Sequence, residues 1–212
     1  HKPDRRQRQM CIRDSVHAKH LTCAAPEPVG AVLHAAGVLR DRLIANARAS
    51  ELQAVFGPKA VGAWNLHSVS AKLPLGTLVF YSSVAATHGA VGQVSYACAN
   101  AYLDSLARCR GAVGGSGRSV QLPLIAGGMG AATFGEDQLE KLAAITVAEY
   151  AASLCAAIEG ALPVVAALKG RVEPLLRSVP SQLPLFAELR SEQEASAAAP
   201  TPASSNPLAA TL

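Results

Sequence analysis

The chain has 212 residues, 50% hydrophobic and 16% charged, a balance that supports one globular core with tails and excludes general disorder. Its formal charge of +4 resides wholly in residues 1–20, where Lys2, Arg5, Arg6, Arg8, Arg13 and Lys19 outnumber Asp4 and Asp14; without interleaved aromatics or a nucleic-acid module, this arm argues against nucleic-acid binding. No uninterrupted apolar run of about 20 residues occurs and the arm lacks a signal-peptide core, so a soluble, intracellular, cytoplasmic chain with no membrane span is expected.

Residues 1–25 read as a basic arm, disordered or foreign to the domain that follows. His17 and His20 have no further ligand cluster nearby, so no metal is expected. The five cysteines, Cys11, Cys23, Cys98, Cys109 and Cys155, are odd in number and contain no C-x-x-C pair, which fits neither a disulfide framework nor a zinc ribbon. Reduced thiols are the expectation.

From Val29 the run VGAVLH, followed by Ala-Ala-Gly, suits a buried parallel strand ending at His34–Gly37. Residues 50–72 place Leu52, Val55, Phe56, Lys59, Ala63 and Leu66 at helical spacings, with Ser50 as N-cap and a bend near Gly57-Pro58. Thr77–Tyr81 reads as a second strand, ending in Ser82-Ser83 and a loop through Gly89 and Gly92. A helix follows over residues 95–110, then a glycine-rich break at 111–117 and a third strand at Ser119–Leu124. Beyond a Gly/Met/Ala segment at 126–135 come a helix at 146–159 and a short strand at 163–167. Residues 191–212, rich in Ala, Ser and Pro, read as a linker. Strand and helix alternate, which predicts a parallel sheet with helices on both faces, because parallel strands need crossover connections. A G-x-G-x-x-G phosphate loop after a first strand is absent from the sequence; Gly111, Gly114, Gly115 and Gly117 follow a helix and precede a strand, the wrong order for one.

Tyr96 and Asn100 are four residues apart and share a helix face, which Leu103 and Ala107 extend as packing. Ser83 stands thirteen residues before Tyr96 at the C-terminal end of a predicted strand, where open α/β sheets place ligands. Lys59 lies on the preceding helix, so four polar groups are directed at one crevice.

These residues carry a resemblance. VLHAAGVLRD (32–41), GPKAVGAWNLH (57–67), LVFYSS (78–83) and GQVSYACANAYLDSLA (92–107) are similar to the ketoreductase domains of modular type I polyketide synthases, within the short-chain dehydrogenase/reductases. The similarity runs from about residue 29 to residue 189 and makes residues 26–190 a partial catalytic domain. It implies a Rossmann-like doubly wound parallel sheet whose first, nucleotide-binding half has no counterpart in the chain. In this family Asn takes the place four residues after the tyrosine, and the lysine comes from the earlier helix, as with Asn100 and Lys59.

The resemblance implies reduction of a β-ketoacyl thioester on an acyl carrier protein to the β-hydroxyacyl thioester, with NADPH as cofactor and neighbouring synthase domains as partners. Tyr96 would give the proton, and Lys59 would lower its pKa through a nearby ammonium. Ser83 would hydrogen-bond the substrate oxygen, and Asn100 would hold water or backbone to connect Lys59 with a proton supply. His34, Ala35, Ala36 and Gly37 match the turn beneath the cofactor, with Lys59 and Tyr96 also on the cofactor side. Asp41 matches the aspartate of a stereochemistry loop, although Arg40 replaces the acidic residue often beside it, and His88 stands where the opposite type carries Trp; the expectation is the D-hydroxyl product. Where the family shows Trp-Gly-x-Trp, this chain reads Leu122-Pro123-Leu124-Ile125, and Met129 takes a lid position. An apolar wall survives there without tryptophan's stacking surface. Two other readings share the same residues: an inactive ketoreductase shell that scaffolds neighbouring domains, and a stand-alone short-chain dehydrogenase.

Overall fold

A computed structural model describes residues 29–71, 75–128, 135–142 and 144–168. They all belong to the first of two compact units, residues 1–170; the second, residues 171–212, lies outside the described residues, as do the basic arm and the linker expected from the sequence.

Four parallel strands form one sheet in the order β1 (Ala31–His34), β2 (Thr77–Ser83), β3 (Arg118–Leu122) and β4 (Val164–Ala166). Between β1 and β2 run α1 (Ala49–Phe56), a π-turn (Gly57–Val61) and α2 (Gly62–Ser70). Between β2 and β3 come a short α3 (Ala85–His88) and a long α4 (Val94–Ala112); α5 (Glu136–Lys141) and α6 (Val147–Glu159) precede β4. The expected alternation and the bend near Pro58 are therefore present. The bend is a local widening: the Gly62 amide reaches back to the Gly57 carbonyl, and Pro58, lacking an N–H, cannot serve the regular ladder at that turn.

Two expectations from the sequence need correction. The N-cap of α1 is Arg48 and not Ser50; the Glu51 carboxylate accepts the Arg48 backbone N–H at 3.2 Å, so a side chain from the first turn satisfies the end. The loop after Ser83 contains α3, whose single turn is too short to show a helical period.

Successive residues of β2 point to opposite faces. Leu78 and Phe80 pack with Ala63 of α2 and Leu103, Leu106 and Ala107 of α4, whereas Val79 joins Val120 and Ala157 of α6 on the other face. Both faces are thus covered, as a parallel sheet requires. At the far end of α4, buried Arg110 donates to the Ser116 carbonyl (3.0 Å), His67 Nδ1 (2.7 Å) and Ser70 Oγ (3.3 Å), which ties the ends of α2 and α4 together. A capping box, with Thr146 Oγ1 accepting the Glu149 amide at 3.1 Å and Glu149 accepting the Thr146 amide at 2.7 Å, starts α6. No helix among the described residues is long and apolar enough to cross a membrane.

Candidate active site

Above the C-terminal ends of β1, β2 and β3 lies a cavity of about 460 Å³. Ala35, Gly37 and Asp41 border it after β1, Ser82 and Ser83 close β2, Lys59 enters from the π-turn and Tyr96 from α4. The apolar segment Leu122–Ile125 supplies the opposite wall. That wall is held in place by a parallel bridge between Ile125 and Ile145, with the Ile145 amide donating to Leu124 (2.9 Å) and the Ala126 amide to Ile145 (2.8 Å).

Lys59 is 4% exposed, yet its ammonium donates to the Tyr81 carbonyl at 2.8 Å and stands 5.3 Å from the centre of the Tyr96 ring. A cation over an aromatic face is attracted by the ring's negative quadrupole. The turn that carries Lys59 is pinned by His34, whose Nε2 donates to the Lys59 carbonyl at 3.0 Å. Two glycines make this approach possible. A Cβ on Gly37 would come within 3.1 Å of Lys59 Cε, and one on Gly62 within 3.1 Å of His34 Cε1.

Tyr96 stands beside Ser83, which hydrogen-bonds its side chain. Burial pushes the Tyr96 hydroxyl above its usual pKa, hydrogen bonds from Ser83 and Asn100 pull the other way, and the Asp41 charge adds to the rise. The sequence led us to expect a Tyr96 pKa lowered by Lys59. In this arrangement desolvation wins, and the phenol keeps its proton. Burial also dominates at Lys59, drawing its pKa down to about 8 against the opposing charge of Asp104.

Asn100 is fully buried; its Nδ2 donates to the Tyr96 carbonyl at 2.8 Å, and its Oδ1 has no hydrogen-bond partner among the described residues. Its backbone carbonyl accepts from Ser82 Oγ at 3.2 Å, fastening α4 to the end of β2.

Ser83, Tyr96, Lys59, Ala35, Gly37 and Asp41 thus meet at one cavity. Ala36, His88 and Asn100 do not line it, so three and not four of the expected polar groups meet there; His88 Nδ1 lies 2.9 Å from the Gly89 carbonyl, and His34 faces the π-turn. Met129 lies outside the described residues. Sequence reasoning missed two features. Gln93 Nε2 donates to Asp41 Oδ2 at 2.8 Å and the Arg42 amide to the Gly92 carbonyl at 2.6 Å, so the loop after β1 is clasped to the segment before Tyr96. Asp104, two turns past Tyr96, is buried and bonded to β3. Its four-residue spacing from Asn100 was the available signal. No group of three or more metal-ligating side chains occurs among the described residues.

A parallel sheet carrying a serine, a tyrosine and a lysine at its C-terminal edge defines an α/β domain of the short-chain dehydrogenase/reductase type. The comparisons narrow that class. The KR domain family matches residues 11–127, and the chain belongs to it. The spectinabilin polyketide synthase system protein NorB of Streptomyces orinoci is 45% identical over 101 residues, 48% of this chain and 5% of that protein. The phenolphthiocerol synthesis polyketide synthase type I Pks15/1 of Mycobacterium bovis is 45% identical over 93 residues, 44% of this chain and 4% of that protein. Among solved structures, A-type ketoreductases from a modular polyketide synthase superpose with a TM-score of 0.75 at 30% identity, covering 88% of this chain and 41% of that one. The first ketoreductase of the tylosin synthase gives 0.69 at 30% identity, with 85% and 41% covered. The chain therefore spans a twentieth or less of these two synthases and about two fifths of these two solved ketoreductases.

Proposed function

We propose that the chain is the catalytic part of an NADPH-dependent reductase that converts a β-ketoacyl thioester, carried on an acyl carrier protein within a polyketide synthase, to the β-hydroxyacyl thioester. The observation that carries the reading is the meeting of Ser83, Tyr96 and Lys59 at the mouth of one cavity, with Lys59 held to the Tyr81 carbonyl at 2.8 Å.

The residues present suit the nicotinamide end of such a cofactor. The small residues Ala35 and Gly37 leave the cavity open beside Lys59, and the Leu122–Ile125 wall is apolar. Ala35, Gly37, Lys59 and Tyr96 are the groups that would hold it, and when bound it supplies the hydride. The chain's own task is the proton. As the carbonyl oxygen gains negative charge, Ser83 donates a hydrogen bond to it and Tyr96 releases its phenolic proton to it. Burial that keeps Tyr96 protonated beforehand is what a donor needs, and the ammonium of Lys59 stabilises the phenolate left behind. The Asp41–Gln93 clasp fixes one rim of the cavity, beside which the acyl chain would lie.

The test is NADPH oxidation with a small β-ketothioester, using the chain joined at its N-terminus to a ketoreductase nucleotide-binding half. Tyr96→Phe should lower turnover on the order of a hundredfold or more while leaving NADPH binding intact. Equal turnover in Tyr96→Phe would remove Tyr96 from the mechanism. A folded, NADPH-binding parent without turnover would favour the scaffolding role.

A further inference from the structure

Ser83 ends β2 and the chain folds at once into α3, so whatever holds that turn also holds the Ser83 side chain. The Ala85 amide donates to Ser83 Oγ at 3.2 Å. A hydroxyl has one proton and two lone pairs. With the amide on a lone pair, the proton turns away from Ala85, toward the cavity that Ser83 lines. Two bonds fasten this turn to β3: the Val84 amide donates to the Leu122 carbonyl at 3.1 Å, and Thr87 Oγ1 to Gln121 Oε1 at 2.8 Å. Gln121, 6% exposed, donates from Nε2 to Asp104 Oδ2 at 2.7 Å, and Ser119 Oγ donates to Asp104 Oδ1 at 2.6 Å. Asp104 belongs to α4, the helix that carries Tyr96.

We infer that Gln121 is a positioning residue of the proposed reduction: it joins the turn behind Ser83 to the helix of Tyr96, and so holds the Ser83 hydroxyl as a donor facing the substrate oxygen. The inference rests on the reductase reading for its purpose and on the bonds alone for its geometry. Ser83, Tyr96 and the Leu122–Ile125 wall are carried by three different elements, β2, α4 and β3. Gln121 sits on β3 directly before the wall and bonds to both of the others, through Thr87 and through Asp104. The direction of these bonds follows from one group. Both oxygens of the Asp104 carboxylate accept, so Gln121 turns its NH2 toward them and its oxygen toward Thr87, whose hydroxyl then has to donate. A flipped Gln121 amide would set oxygen against oxygen at Asp104. An aliphatic side chain would fill this place on β3 without the cost of burying an amide, but it could not link the two elements. Reacting groups have to be held within about 0.5 Å by the side chains behind them, and a fully bonded buried network supplies that rigidity.

Two variants cut the link at different points, on the chain joined to the nucleotide-binding half. Gln121→Met keeps the length of the side chain and loses both bonds. Thr87→Val, at an exposed position, loses the outer bond and decides the matter if Gln121→Met does not fold. The first readout is hydrogen exchange of the Ala85 amide by NMR, without substrate or cofactor. Its protection should fall roughly fivefold in both variants, and Thr87→Ser, which keeps the hydroxyl, should retain it. The second readout is NADPH oxidation. In both variants kcat should fall roughly tenfold with little change in KM, because the loss is felt as charge develops on the substrate oxygen. In a Ser83→Ala background, assayed at high enzyme concentration, the same substitutions should cost no further turnover, since the hydroxyl they position is gone. Unchanged Ala85 protection in a folded Thr87→Val protein would overturn the inference. Lost protection with full turnover would do the same, and equal losses with and without Ser83 would assign Gln121 to packing alone. A parent without turnover counts against the reductase reading only, and Ala85 protection then decides whether Gln121 holds Ser83.

Discussion

At Lys59 the chain places an ammonium where water scarcely reaches, and the consequences are measurable. Its folded pKa of about 8 lies below the ordinary value of 10.5. Between these two values the unfolded chain holds a proton that the folded chain has released, so unfolding takes up protons and stability rises with pH across that window. Urea midpoints should therefore climb from about pH 8 to 10.5 through this group, and Lys59→Met should remove that part of the slope. Turnover should run the other way, declining as pH rises through about 8, because the neutral amine no longer stabilises the Tyr96 phenolate. Gly37 tests the same side chain sterically. Gly37→Ala sets a methyl 3.1 Å from Lys59 Cε, and a displacement of this kind should cost turnover roughly tenfold to a hundredfold with the fold retained. Far-ultraviolet circular dichroism alongside the NADPH assay separates the two effects. That Ser83, Tyr96 and Lys59 face one crevice was legible from their places on alternating strand and helix together with the resemblance their motifs carry. The direction of the Tyr96 shift was not, because it depends on how much protein surrounds the hydroxyl.

The elements divide by whether their cause is local. The strand runs at β1 and β2, the period of α4 and the Thr146 start of α6 follow from adjacent residues, and they were readable within a few positions. Thr146→Ala should lower stability by about 1 kcal/mol through loss of the cap, read by urea denaturation, while leaving the Lys59 titration midpoint unchanged because α6 packs on the opposite face of the sheet. The π-turn was visible only as a bend at Gly57-Pro58. Its function in turning Lys59 inward depends on His34 reaching the Lys59 carbonyl from 25 residues away. The short helices α3 and α5 were not anticipated, since one or two turns do not display a period.

For the domain as a whole, the outer edge of β1 decides behaviour. Among the described residues β1 pairs with β2 alone, and Leu33 in that edge strand is 46% exposed. A parallel strand that is apolar and open on one side offers its unpaired N–H and C=O groups to another chain. The exposed edge of β1 should promote self-association in sedimentation experiments, and Leu33→Lys should reduce it. Unchanged sedimentation in Leu33→Lys would show that this edge does not drive association.

The sequence by itself determined the alternation of strand and helix, the apolar runs that make a sheet buried on both faces, and the spacing that sets Ser83, Tyr96 and Asn100 along one stretch of chain. Those depend on periodicity and on neighbours within a few residues, which the order of side chains encodes directly. Only the tertiary structure decided that Lys59 lies over the Tyr96 ring, that Asp104 is locked into β3, and that Gly37 and Gly62 are small because Lys59 and His34 press against them. These are contacts between residues 15 to 37 positions apart. They arise when helices are laid on a twisted sheet and water is squeezed out, and that desolvation sets the charge state of the site.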